Sequence, residues 1–470
     1  MSTQGHRGHG ADPAVATAAD RLATDLRSKV QALMPSSRAD LERLVRVPSM
    51  SAAGWDPAPV AESARIAAEI LRAAGAEVRI LDRPGAHPAV VGHVAGPAGA
   101  PTVLLYAHHD VQPPGPRDRW ASDPFGPVER DGRLFGRGSS DDKAGIVAHA
   151  AAIRAWGGTP PVNVAFFIEG EEESGSDHLG EFLAAEHALL DADAVVIADS
   201  GNWRVGEPAI TTTLRGNVLV TVEVRTADHA VHSGEYGGSV PDANMALVRL
   251  LASLHDDRGS VGVKGLRSGD ADALDLTEQE LRGWIGTRPS VELIGTGTLT
   301  SRLWQQASLS ITGIDATSVA ESSNTLWPVA RARISMRIPP GQAAKAAQDA
   351  LVEHLESHAP WGAEVTVTRE SRGEAFVSAA AGPAYEAMRA ALGAAWGRGA
   401  IDIGMGGSIP FLFDFARIFP KAALLVTGVA DPASNAHSED ESLDLGELER
   451  GCLAEAVFLG LMGRAGAVPR

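Results

Sequence analysis

The chain has 470 residues, 44% hydrophobic and 21% charged, which is enough apolar content for more than one core and, by ordinary domain sizes, for two domains. A formal net charge of −18 disfavours nucleic acid or an anionic membrane surface as a partner, because neither complements a surplus of Asp and Glu. Cys452 is the only cysteine, which excludes an intrachain disulfide and a thiolate cluster, so any metal must be held by His and carboxylate.

Residues 1–20 lack the charged start and apolar run of a secretory signal, and no later segment approaches about 18 uninterrupted apolar residues, so the expected compartment is the cytoplasm. Helical spacing over 14–47 and again over 58–74, stopped by Gly75, predicts two helices ahead of the first sheet. Short strands are expected at 78–81, 89–94 and 102–106. The third leads into LLYAHHDVQP. In an extended segment His108 and Asp110 point to the same side, so Asp110 can accept the second ring N–H of a metal-bound His108 or orient a neighbouring base, while His109 points away.

A Pro-, Gly- and Asp-rich segment, 111–137, is too long for a simple connection and reads as a functional loop. It ends in GRGSSDDKAG, a turn at 138–140 that places Asp141 and Asp142 at the start of a helix of small apolar residues, 144–156. A buried strand at 162–168 runs into EGEEESGS, where the carboxylates of Glu169, Glu171, Glu172 and Glu173 repel one another unless something positive lies close by. Another apolar strand, 194–198, precedes Asp199. Three strands thus deliver acidic or imidazole groups at the same end, and a parallel sheet gathers such ends on one edge.

From about Pro208 the texture changes to alternating strands, a glycine-rich turn HSGEYGGSV, helices at 242–254 and 343–358, a charged and less ordered-looking segment at 256–287, and strands at 308–311, 329–338 and 364–370. This mixture without βαβ rhythm predicts an inserted α+β domain. After about Ser378 a helix at 385–396, the turn GMGGSIP, a strand at 422–427, the loop DPASNAHSEDE and a final helix at 445–461 return the chain to the first domain.

YAHHDVQP, GRGSSDDKAG, EGEEESGS, the Asp199 strand end, HSGEYGGSV, SMRIPPGQ, GGSIP and NAHSEDE stand in the order and at the approximate spacing of a known family. From about residue 35 onward the chain resembles the co-catalytic di-zinc exopeptidases that include carnosinase-like cytosolic dipeptidases, carboxypeptidase G and succinyl-diaminopimelate desuccinylase. The resemblance implies an α/β catalytic domain with a mostly parallel sheet flanked by helices, in two parts, 1–206 and 381–470, around an inserted α+β lid and dimerisation domain, 207–380. It further implies two Zn2+ per subunit, with Mn2+ or Co2+ compatible with the same donors. His108 and Asp199 would hold one ion, Glu173 and His437 the other, and Asp141 would bridge them. Glu172 would be the general base and Asp110 the partner of His108. His232 would reach across a homodimer interface to stabilise an oxyanion. Arg337, with Gly407 and Ser408, would bind a substrate carboxylate, and Thr325 is a further candidate contact.

Two departures from the family pattern stand out. Met405 occupies a position that is acidic in carnosinase-like members, and Glu171 one that is often uncharged. The function expected is hydrolysis of dipeptides or short peptides bearing a free C-terminal carboxylate. An N-acyl-amino-acid amidohydrolase is the alternative within enzymes, and a non-catalytic peptide- or metal-binding protein is the alternative outside them.

Overall fold

In the computed structural model, which describes residues 12–407 and 411–464, the chain enters α1 (Pro13–Val45). The Asp12 carboxylate accepts the Ala14 N–H at 2.7 Å, and Pro13 takes the first helical position, where no N–H partner is needed. α2 (Ala58–Ala73) is followed by Gly75 at φ +105°, a conformation glycine reaches without a Cβ clash. Next come β1 (Glu77–Leu81), β2 (Ala89–Val94), β3 (Thr102–His108), β4 (Val128–Arg130), β5 (Arg133–Phe135), α3 (Lys143–Ala155), β6 (Asn163–Glu169), β7 (Ala194–Ile197) and β8 (Ala209–Leu214). β9 (Gly216–Arg225), β10 (Val231–His232), β11 (Ser308–Asp315), β12 (Thr325–Leu326), β13 (Val329–Ile338), β14 (Glu364–Gly373) and β15 (Phe376–Val377) follow. The last strands are β16 (Ile401–Met405), β17 (Ala423–Val426) and β18 (Ser442–Asp444), ahead of the closing helix Leu445–Arg464.

The chain divides into two compact units. Among the described residues the first comprises 12–212, 378–403 and 411–464. Its sheet runs β1-β2-β6-β3-β7-β17-β8, with β6, β3, β7 and β17 mutually parallel and antiparallel strands at the edges. Side chains alternate across the central strands. Val103, Leu105 and Ala107 join a core built with α1, α2, α3, Pro383–Trp396 and the closing helix. Tyr106 faces the other way, with its ring centroid 4.5 Å from Phe411 and 5.3 Å from Phe415. Both faces of the sheet are therefore dry, the condition under which parallel strands read as continuous apolar runs. The register sets His108 opposite Glu169 and Tyr106 opposite Ile197, so the carboxyl ends of β6, β3 and β7 finish side by side.

The second unit comprises 213–377 and 404–407 among the described residues. Its four-stranded antiparallel sheet runs β11-β13-β9-β14. β9 buries Val218, Val220, Val222 and Val224 alternately, and β13 does the same from Ala330 to Ile338. These faces pack with the apolar sides of helices Ala243–Ala252 and Ala344–Ser357.

Two sequence expectations need correction. The 111–137 segment contains the β4–β5 hairpin, turned by Asp131 and Gly132 at φ +50° and +77° and paired with β18. The 256–287 segment contains helix Glu278–Ile285, closed by a reciprocal cap between Thr277 and Glu280.

Gly428, just beyond β17, is forced by space. A Cβ there would lie 1.9 Å from the Ser200 carbonyl oxygen and 2.7 Å from that of Ala198, both backbone atoms next to Asp199. Gly428→Ala is expected to cost about 1–3 kcal/mol through overpacking, read as a lowered thermal midpoint; an unchanged midpoint would show that this crossing can relax.

Candidate metal centre

The parallel register brings His108, Asp110, Asp141, Glu172, Glu173, Asp199 and His437 to one edge of the first unit. The donor atoms of His108, Asp141 and Glu173 lie within 4.8 Å of one another, as do those of His108, Glu172 and Asp199. Asp141 sits between two imidazoles. One of its oxygens is 3.1 Å from His108 Nε2 and the other 3.0 Å from His437 Nε2, which is also 3.1 Å from Glu173 Oε2.

Asp110 and His108 share one side of the β3 exit, with Asp110 Oδ1 3.4 Å from His108 Nδ1. Asp110 also does more than the spacing anticipates. Its carboxylate accepts the backbone N–H groups of Glu172 at 3.3 Å and Glu173 at 3.0 Å, and the Ser51 hydroxyl at 2.6 Å. His109 points away, its Nε2 2.8 Å from the Pro88 carbonyl oxygen. Asp142 stands at the α3 start without capping it. Instead its Oδ2 accepts the His108 N–H at 3.3 Å.

The Asp141 loop is held from far along the chain. Glu441, fully buried, accepts the N–H groups of Gly138, Ser140 and Asp141, the Ser140 hydroxyl, and Arg137 Nη1 at 2.7 Å. One short segment therefore presents His437 and fixes the loop that carries Asp141. Neither Ser51 nor Glu441 is marked by a local pattern that would have singled it out, although Glu441 closes the NAHSEDE motif.

The electrostatics follow from crowding in a dry site. Burial raises the pKa of Glu172 and Asp199 well above the usual carboxylate range. The charges of Glu173, Asp110 and Asp141 add to this at Glu172, and those of Glu172 and Asp141 at Asp199. Burial works the same way on Asp141, but hydrogen bonds from His108 and His437 outweigh it and hold that carboxyl below its ordinary value. The His437 ring, hydrogen-bonded to Asp141 and Glu173, is raised to about 11. Burial disfavours charge on His108, yet hydrogen bonds to Asp110 and Asp141 leave it well above a free imidazole. An all-N/O donor set with this surplus of buried negative charge fits divalent cations such as zinc, manganese or cobalt.

The remaining candidates lie in the second unit. His232 and Thr325 are opposite each other in the β10–β12 pair. His232 Nδ1 accepts the Gly234 N–H at 3.0 Å, which assigns the ring proton to Nε2. Arg337 lies in β13 between Ser308 and Asn217, its guanidinium pKa lowered by burial. Arg215, absent from the sequence reading, is lowered to about 10 by burial and by the charge of Arg337, and its Nε donates to the Gly406 carbonyl at 3.2 Å. Gly407 belongs to that glycine turn, and Ser408 lies outside the described residues.

Comparison with known proteins places this geometry in context. Residues 104–459 match the family model described as Peptidase family M20/M25/M40. The chain is 36% identical over 384 residues to the cysteinylglycine-S-conjugate dipeptidase of Corynebacterium striatum, covering 79% of this chain and 83% of that protein. It is 30% identical over 386 residues to the human Beta-Ala-His dipeptidase, covering 76% and 74%. Among solved structures it is similar to human carnosine dipeptidase 1, with a TM-score of 0.79, 26% identity and coverage of 94% and 99%. The fold also matches that of the dipeptidase Dug1p of Saccharomyces cerevisiae, with a TM-score of 0.79, 23% identity and coverage of 94% and 98%.

Because hydrogen bonds to Asp110, Asp141 and Glu173 favour the protonated rings of His108 and His437, cation uptake is expected to displace protons. Apparent metal affinity is expected to rise with pH, and the uptake heat to vary with the ionisation enthalpy of the buffer. Buffer-independent heats at pH 7 would contradict this protonation scheme.

Proposed function

We propose, from the premise that this chain belongs to peptidase family M20/M25/M40, that it is a metal-dependent hydrolase cleaving the amide bond of dipeptides or short peptides with a free C-terminal carboxylate. The observation that carries this reading is the convergence of His108, Asp141, Glu172, Glu173, Asp199 and His437 at one sheet edge, together with relatives named as dipeptidases.

His108 and Asp199 are assigned to one zinc ion, Glu173 and His437 to a second, and Asp141 to both. When bound, two divalent cations supply Lewis acidity toward an amide carbonyl and lower the pKa of a nearby water. Glu172, whose burial makes its ionised carboxylate a stronger base than an exposed one, is suited to take a proton from the attacking water and return it to the leaving nitrogen. Asp110 holds Glu172 and Glu173 by their backbone amides and steadies the His108 ring.

His232, protonated at Nε2, is assigned to the oxyanion, donated by the second subunit of a homodimer formed through the 207–380 domain. Arg337 is assigned to the substrate carboxylate, with Gly407, Ser408 and Thr325 as further candidate contacts, and Arg215 secures the turn at Gly406. Met405 stands where an acid would serve a free amino group, so that group is left to other contacts of the site. A single buried cysteine suits a cytoplasmic setting, and among the described residues no helix is long and apolar enough to cross a membrane.

The test is turnover of free dipeptides and of their N-acetylated forms by metal-reconstituted protein beside Glu172→Ala. Free dipeptides should be cleaved, acetylation should lower turnover, and the variant should lose about 10²–10⁴-fold in kcat while retaining its metal. Faster turnover of the acetylated forms would favour the amidohydrolase, and inactivity on the whole panel would overturn the reading.

A further inference from the structure

Glu171 is an extra carboxylate beside a site already crowded with acids, and it is 5% exposed. A buried carboxylate persists only where donors satisfy it. Its donors lie away from the metal-site acids. Oε1 accepts the His178 backbone N–H at 2.9 Å and the His178 Nδ1–H at 2.7 Å, and Oε2 accepts the His87 N–H at 3.0 Å.

From His87 the bonding continues in a closed circuit. His87 Nε2 donates to the Ser51 carbonyl at 3.1 Å, and the Ser51 hydroxyl donates to Asp110 Oδ2 at 2.6 Å. Asp110 accepts the amides of Glu172 and Glu173, the two residues after Glu171. The Glu171 carbonyl meanwhile accepts the N–H groups of Ser174 at 3.2 Å and Ser176 at 2.9 Å, closing the turn from its other end. The short acidic turn is thus gripped at its amides by Asp110 and at its entry by Glu171. Ser51 and His87 join the two grips.

We propose that Glu171 is a positioning residue, fixing the Glu172–Glu173 turn through the ring Glu171–His87–Ser51–Asp110, so that proton transfer and cation binding meet a preset geometry. This rests on the assignment of Glu172 as base and Glu173 as ligand. Three N–H groups converge on the two Glu171 oxygens, so an amide cannot replace the carboxylate. Gln at this position must turn an N–H toward either His87 N–H or the His178 donors.

Glu171→Met and Glu171→Gln are therefore both expected to lower kcat by about 10–100-fold, with KM, assigned to the carboxylate contacts of Arg337, changing far less. The pH–rate profile should keep its position. Ser51→Ala opens the same ring elsewhere, so the double variant Glu171→Met/Ser51→Ala should be little worse than the poorer single, whereas independent roles would multiply. Should the Glu171 variants fail to fold, Ser51→Ala and His87→Ala carry the test with the same expected loss in kcat.

The role is overturned if kcat stays within about twofold of wild type, if the loss disappears on shifting pH, which would assign a charge effect, or if the double variant multiplies the single losses. Visible spectra of cobalt-loaded wild type and variants separate this role from the function. If wild type cleaves no dipeptide, the functional reading falls alone. An altered cobalt spectrum in Glu171→Met would still support the positioning role, and an unchanged one would overturn it.

Discussion

The constraint on which the site depends is like-charge crowding. Asp110, Glu172, Glu173 and Asp199 lie just beyond the carboxyl ends of three adjacent parallel strands, and the loop ahead of α3 adds Asp141 to them, largely out of water. Two carboxylates about 4 Å apart repel by roughly 4 kcal/mol at the effective dielectric of a protein surface, and more in a drier site. The protein meets this cost partly with the His108 and His437 imidazoles flanking Asp141, whose protonated forms its carboxylate favours, and divalent cations would meet it more completely. Catalytic potential and folding cost are thus two views of one charge arrangement.

What keeps that arrangement from relaxing is a surrounding layer of buried polar bonds joining segments remote in sequence. Glu441 holds the Asp141 loop and is itself paired with Arg137, both buried. Burial pushes the Lys143 amine, next to Asp142, down to about 7, and its Nζ donates to the carbonyls of Leu44 and Val47 at the end of α1. These links give Glu441 and Lys143 partners where an unpaired charge is expensive, while Arg137 Nε, Ser139 Oγ and Asp142 Oδ1 stay buried without one. The apolar sheet beneath, with Tyr106 against Phe411 on one side and Val103 and Leu105 in the helical core on the other, gives these bonds a rigid base.

The parallel centre of the fold was legible because dry strands write themselves as apolar runs, and three of them, β6, β3 and β7, end in a chemical group rather than in a neutral turn. The β4–β5 hairpin carried its own signal, Asp131-Gly132, but lay within a stretch whose Pro and Gly content reads as loop. The Thr277–Glu280 cap was equally present and was outweighed by the polarity of its surroundings. The donor residues are visible singly. Their pairing of Asp141 with both His108 and His437 depends on a register that no local pattern encodes. Ser51, Arg215 and Glu441 escape sequence reasoning for the same reason: their partners are roughly 60 to 300 positions away, as with Ser51 to Asp110 and Glu441 to Gly138.

The central claim is that Asp141 is shared between two cation positions, one on the His108 side and one on the His437 side. Anomalous X-ray diffraction from zinc-soaked crystals, recorded above and below the zinc edge, tests it directly. The account predicts two peaks in each copy of the chain, with the Asp141 carboxylate between them. A single peak, or two peaks that Asp141 does not join, would contradict it.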